Sequence, residues 1–173
     1  MADARVRAKK VMRAATIAVI NGWTLGMFAA ITSVTVLWGD WVSGILAVGL
    51  GACAFVELRG AGRLRKFDVS AARMLGFNQV ALGAGVVIYA AWSYVAAKSG
   101  VLGAAGQTGD AGMDAMVADL ANTLIVGLYG GMALFGVLVP GLNAWYYFTR
   151  ARVMRELLAG TPRWVIEALK AAG

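Results

Sequence analysis

The chain has 173 residues, 60% of them apolar and 14% charged, with a formal net charge of +7 and a mean hydropathy of +0.71. Soluble domains carry about 25% charged residues, so this composition excludes a disordered chain and leaves too little polar surface for an ordinary water-borne globule. A single cysteine excludes an intramolecular disulfide, and the lack of histidine removes the commonest metal ligand and general base.

A bilayer core about 30 Å thick is crossed by roughly 20 apolar residues in helical form. Behind the basic leader Arg5, Arg7, Lys9, Lys10 and Arg13, the first such stretch runs from about Ala15 to Trp38 without a charge. It exceeds the ~7–15-residue apolar region of a cleaved signal peptide, so it reads as a retained anchor. Asn21, Thr24, Phe28, Thr32 and Thr35 recur along it at helical spacing and give one face a mostly polar stripe. Only Gly39 and Asp40 separate it from the second stretch, a link that forces an antiparallel hairpin.

The second stretch, Trp41 to Val56, is short, glycine-rich and bounded by Asp40 and Glu57. Both carboxylates are expected at its ends, within reach of water, which leaves no ionisable group near mid-depth. That expectation weighs against proton coupling, because such groups mark ion and proton paths. Arg59, Arg63, Arg65, Lys66 and Arg73 follow, with Asp68 placed to cap the third helix.

The third stretch, about Met74 to Ala97, carries Asn78 and Gln79 near its start. A connection from Lys98 to Asn122 comes next, in which Met113, Met116, Val117 and Leu120 form an apolar helical stripe. This piece is expected either to lie on the membrane surface or to extend the fourth helix outward. Asp110, Asp114 and Asp119 lack the spacing of a calcium loop and read as solvated charges.

The fourth stretch, about Thr123 to Phe148, contains Asn143 and also Pro140, which predicts a kink. The helix is expected to continue to Ala159 and stop at Gly160, before a short amphipathic helix from Pro162 to Ala171. Trp164, Val165, Ala168 and Leu169 share one side of that last helix. Too short to be stable alone, it should dock on the bundle, in the headgroup layer or on a partner.

Lys98 apart, every basic residue falls on one side of these stretches. The positive-inside rule makes that side the cytoplasm and places both termini there. The aromatic belts agree, with Trp38, Trp41, Trp92 and Tyr94 near the outer boundary and Trp145, Tyr146 and Tyr147 near the inner one. Trp23 and Tyr89 sit deeper and are expected to pack inside. Because the basic residues flank spans instead of forming one patch with stacking aromatics, nucleic acid is not an expected partner. The fold expected is all-α, an up-down bundle of four transmembrane helices over residues 1–160. Its spans are about 15–38, 41–56, 74–97 and 123–148, and a short cytoplasmic or interfacial helix occupies 161–173.

Asn21, Asn78 and Asn143 lie at similar depth, and a carboxamide facing lipid would leave its polar atoms unpaired. They are expected to turn inward and meet. With Thr24, Thr32, Thr35 and Gln79 they form a candidate polar cluster, either bridging helices or lining a cavity for a small polar solute. Arg59, Arg63, Arg65, Lys66, Arg73, Arg150 and Arg152 are candidate contacts for anionic headgroups. Each helix also has a small-x3-small pair: Gly22/Gly26, Ala47/Gly51, Ala81/Gly85 and Gly127/Gly131. Such pairs let helix backbones approach closely in lipid. Asn78, Ala81 and Gly85 share a face, which is therefore expected to point inward. Asn21-x3-Leu25-Gly26 recurs as Asn78-x3-Leu82-Gly83, suggesting two related hairpins.

No catalytic pair, phosphate loop, metal-ligand spacing or cofactor ligand occurs, and Cys53 has no second cysteine or histidine to work with. The expectation is a non-enzymatic, multi-pass protein of a cell membrane, with a bacterial cytoplasmic membrane as its setting and no cofactor or metal. Its partners are then membrane lipids and either further copies of itself or a larger membrane complex, met through the glycine faces. The alternative is a channel or transporter subunit for a small polar solute, using the Asn/Thr interior.

Overall fold

The computed structural model describes residues 2–39, 41–104 and 110–171. Asp40, expected in the hairpin link, and residues 105–109 of the long connection lie outside the described residues. Helix α1 spans Ala2–Val34 and ends in a 3-10 turn, Thr35–Trp38. It is followed by α2 (Trp41–Arg65), α3 (Val69–Ala104), α4 (Ala111–Gly160) and α5 (Arg163–Ala171). Among the described residues the fold is entirely helical, and four of the helices are long and apolar enough to cross a membrane.

Two helices run beyond the uncharged stretches, for related reasons. Helix α1 begins at Ala2, ahead of the stretch from Ala15, because Ala4, Ala8, Val11, Ala15 and Ala18 form an apolar stripe through the basic leader. Ala8, Val11, Ala15 and Ala18 are buried along it, while Arg5, Lys9 and Lys10 point outward. Helix α2 continues past Val56 to Arg65 because a charge does not end a helix. Glu57, Leu58, Arg59 and Arg65 are good helix formers, and the glycines among them are tolerated.

Turn chemistry fixes the links. Gly39 adopts φ 84°, a left-handed conformation open to a residue without Cβ, and its N–H bonds to Val36 O at 2.9 Å. Between α2 and α3 the left-handed residue is Phe67, at φ 57°, held by burial of its ring and by its N–H to Leu64 O at 2.9 Å. Asp68 caps α3 as expected: its Oδ1 accepts from Ser70 N at 2.9 Å and from Ser70 Oγ at 2.8 Å. Its Oδ2 pairs with Arg63 at 2.8 Å. Partial burial opposes the Asp68 charge, but the Ser70 and Arg63 hydrogen bonds outweigh it and hold the carboxyl below its usual range. Asp110 similarly caps α4, accepting from Gly112 N at 2.8 Å and Met113 N at 3.3 Å.

The chain divides into two compact units, one of residues up to Leu82 with those from Pro140 onward, the other Gly83–Val139. The first holds nearly all of the core. Val11 and Ala15 of α1, Leu64 of α2, Leu75 of α3, Tyr147, Met154 and Leu157 of α4 and Ile166 of α5 pack together with a set of alanines. Small residues bring the backbones close. A Cβ added at Gly22 would stand 2.7 Å from Leu58 Cγ and 3.3 Å from Ala54 O, and one at Gly60 would stand 2.6 Å from Leu75 Cδ2. Helix α5 docks on this core through Val165, Ile166 and Leu169. Trp164, expected on the docking side, points away with 61% of its surface exposed.

The second unit is thin. Among its described side chains only Gly83, Ala90 and Gly136 are buried. The Met113, Met116, Val117 and Leu120 stripe lies on the first turns of α4, settling that choice for an extension of the fourth helix, and all four side chains are exposed. Helix α4 stays helical through Pro140. Two of the small-residue pairs do not pack as expected. Ala81, Gly85, Gly127 and Gly131 are all exposed, and a Cβ at any of those three glycines would meet nothing within 4 Å. The face shared by Asn78, Ala81 and Gly85 is therefore not inward along its length: Asn78 turns in and the two small residues one and two turns on do not.

Candidate functional site

Glu57 is fully buried, with 0% of its surface exposed, and it is the centre of a polar junction. The expectation that it meets water at the end of a span is overturned. The neighbours of Glu57 on its own helix face are Cys53, Ala54, Gly60 and Ala61, all small, so this is the face along which other helices come closest. A long side chain there has no way out.

Three donors from two other helices satisfy the carboxyl. Gln79 Nε2 donates to Oε1 at 2.7 Å, and Asn78 Nδ2 donates to the same oxygen at 3.0 Å. Tyr147 Oη donates to Oε2 at 3.0 Å from α4. Asn78 Nδ2 also bonds to Cys53 O, at 3.1 Å, and so ties α3 to the backbone of α2. From α1, Asn21 directs its carboxamide at the Tyr147 hydroxyl, with Nδ2 buried and short of a hydrogen bond of good geometry. All four long helices thus contribute to one junction within the first unit. Gln79 and Tyr147 are as enclosed as Glu57, at 1% and 0% exposure, while Asn21 and Asn78 are half-buried and mark its edges.

The charge balance is unusual. The ion pairs among the described residues are Arg7 with Glu156, at 3.7 Å, and Arg63 with Asp68, and neither reaches Glu57. The carboxyl is held by neutral amides and a phenol alone. Arg65, at the basic end of α2, lies eight residues away, about 12 Å along the axis.

The polar cluster expected from sequence is brought together only in part. Asn21, Asn78 and Gln79 reach the junction; Asn143 is half-buried and makes no hydrogen bond among the described residues. Tyr147, one turn on from Asn143, takes that place, and its assignment to the inner aromatic belt is overturned. The threonine stripe does not line an interior. Thr24 is exposed, and Thr32 and Thr35 are half-buried, with Thr35 Oγ1 donating to Thr32 O at 2.7 Å. A threonine in a helix satisfies its hydroxyl on the preceding turn and so needs no partner across the bundle. Trp23, expected inside, is 70% exposed.

Of the candidate headgroup contacts, Arg59, Arg65, Lys66, Arg73 and Arg152 are exposed. The other two are engaged within the fold: Arg63 in its pair with Asp68, and Arg150 over the Tyr146 ring at 4.5 Å. A cleft of about 330 Å³ lies beside Arg7, Glu156, Thr161 and Pro162, apart from the junction. No group of His, Cys, Asp and Glu among the described residues is arranged to hold a metal ion. Comparison with protein-family models, with curated proteins and with solved structures finds no match for this chain.

Proposed function

We propose that this chain is a non-catalytic, multi-pass membrane protein, both termini cytoplasmic, that assembles through small-residue helix faces into a homo-oligomer or a larger membrane complex. The observation that carries this reading is the thinness of the second unit. Residues 83–139 contain long apolar helices whose described side chains bury only Gly83, Ala90 and Gly136. Gly127 and Gly131 lie on an open face of α4, a surface that another helix can approach closely. The corresponding face of α1 is already used at Gly22. The basic side chains Arg59, Arg65, Lys66, Arg73 and Arg152 then meet anionic headgroups at the cytoplasmic surface, and α5 lies against the same end of the bundle.

The test is the mass of the particle in lipid nanodiscs, measured by native mass spectrometry. The expected species is larger than one chain, and Gly127→Leu with Gly131→Leu returns it to the mass of one. A wild-type chain that is monomeric at every lipid ratio overturns self-assembly, and co-purification with no other membrane protein then removes the complex as well.

A second reading, a subunit of a channel or transporter for a small polar solute, is favoured by the junction at Glu57. An ionisable group inside a membrane-spanning helix is a usual mark of an ion or solute path. Uptake into proteoliposomes that is lost in Glu57→Gln would support it, and unchanged leakage in both would remove it.

A further inference from the structure

We propose that Glu57 is a proton-exchanging carboxyl, and that the Tyr147 hydroxyl and the Asn21 carboxamide form the switch that lets it take up and release its proton. The inference stands on the geometry of the junction and holds whether or not the chain assembles or carries a solute.

The two carboxyl oxygens are not equivalent. Oε1 accepts from both Asn78 and Gln79, so its hydrogen-bonding directions are filled. Oε2 accepts from Tyr147 alone, so it is the oxygen with room for a proton. A proton on Oε2 placed along the line to Tyr147 Oη, 3.0 Å away, is donated to that oxygen, and the Tyr147 O–H can then no longer point back along it. The phenol must turn its hydrogen elsewhere and present its oxygen as acceptor to Oε2–H. Asn21 adjoins that hydroxyl, and its buried Nδ2, though directed at the phenol oxygen, makes no hydrogen bond of good geometry, so the carboxamide is only weakly held in its present orientation. Rotated by half a turn, Asn21 offers Oδ1 to the Tyr147 O–H. In the protonated state the Oε2–H and the Tyr147 O–H then both have acceptors, and the poorly bonded Nδ2 marks the group that moves. The step is a proton transfer alone: water supplies the proton, an O–H bond forms at Oε2, and no electron or other group is exchanged.

The surroundings suit such a site. On α1 it faces Asn21, on α2 Cys53 one turn back, on α3 Asn78 and Gln79, and on α4 Tyr147, with Tyr146 packed against that ring at 5.9 Å. The cation of this neighbourhood, Arg150, stands over the Tyr146 ring at 4.5 Å and makes no ion pair with Glu57, so no salt bridge locks the carboxyl in one state. Arg59 lies two positions on along α2, exposed and turned to a different face.

Infrared difference spectroscopy of the chain in lipid bilayers, stepped between acidic and alkaline buffer, reads the site directly. A protonated carboxylic acid shows a C=O stretch apart from the amide bands. The expected result is a difference band present in the wild type and absent in Glu57→Gln, a variant that keeps the acceptor for Asn78 and Gln79. Tyr147→Phe is expected to keep the band, move its frequency and shift its pH midpoint, whereas a merely structural tyrosine would leave both where they are. Should Glu57→Gln fail to fold, glutamate labelled with carbon-13 in a Glu156→Gln, Glu167→Gln chain leaves Glu57 as the only labelled carboxyl with the junction untouched. Superimposable wild-type and Glu57→Gln spectra, or a labelled band that does not respond to pH, overturn the proposal. A response to sodium at constant pH overturns it too, because the carboxyl would then be taking a metal cation.

Discussion

The Tyr147 hydroxyl and the Glu57 carboxyl, 90 positions apart in sequence, meet at 3.0 Å with both side chains fully enclosed. Their bond joins α2 to α4, and the two amides on the other carboxyl oxygen join α3 to the same point. A polar contact of this kind in a membrane helix bundle contributes about 0.6–2 kcal/mol. Tyr147→Phe is accordingly expected to lower resistance to unfolding in an SDS titration by that amount. Asn143→Leu, which removes no hydrogen bond, should shift the midpoint far less. Equal effects would show that the junction adds nothing to packing.

The two classes of glycine separate by melting temperature. Gly22→Leu and Gly60→Leu place atoms against Leu58 and Leu75, where even a Cβ has no room, and overpacking of this kind costs about 1–3 kcal/mol. Circular dichroism in detergent should show both melting earlier than wild type. A Cβ added at Gly127 meets nothing within 4 Å and the glycine is exposed, so in Gly127→Leu the isolated chain should melt as before. Its effect should appear only in the assembly measured in nanodiscs.

Asp68 gives the basic end a pH dependence of definite sign. Its carboxyl is held below the ordinary carboxylate range in the folded chain. The folded state therefore gains stability from it above the unfolded value of about 3.9, and loses that gain as pH falls through the lower folded value. Unfolding midpoints recorded down an acid series should decline in this range. Asp68→Asn should be less stable near neutral pH and show a shallower decline on acidification.

Docking of α5 is testable by proteolysis. Ile166 is 7% exposed and belongs to the core, while Trp164 is 61% exposed. Ile166→Ala removes buried side-chain volume worth about 2 kcal/mol or more, which should release the helix and speed tryptic cleavage after Arg163. Trp164→Ala should leave that rate unchanged. Faster cleavage in the tryptophan variant alone would reverse the assigned docking face.

Local chemistry, legible in the order of residues, determined the number of long apolar helices, the cap at Asp68, the tight turn at Gly39 and the helical stripe from Met113 to Leu120, though not that this stripe is continuous with the fourth helix. Runs of apolar residues and capping side chains act over a few positions, and neighbours along the chain suffice to read them. Gln79, Asn21 and Asn78 also stand out in the sequence, because an amide inside an apolar stretch needs a partner wherever the helix packs. The partner itself was decided by the tertiary structure. Glu57 reads as the hydrophilic end of a short span until α3 and α4 close over it, and Tyr147 reads as a belt residue until its hydroxyl finds that carboxyl. One signal in sequence did point there: the small residues on both turns beside Glu57 make its face the one where helices crowd. Which of the glycine pairs would be used was beyond such local reading, since a small residue permits close approach but does not select the helix that arrives. Selection depends on the joint fit of side chains from separate parts of the chain, and only folding brings those together.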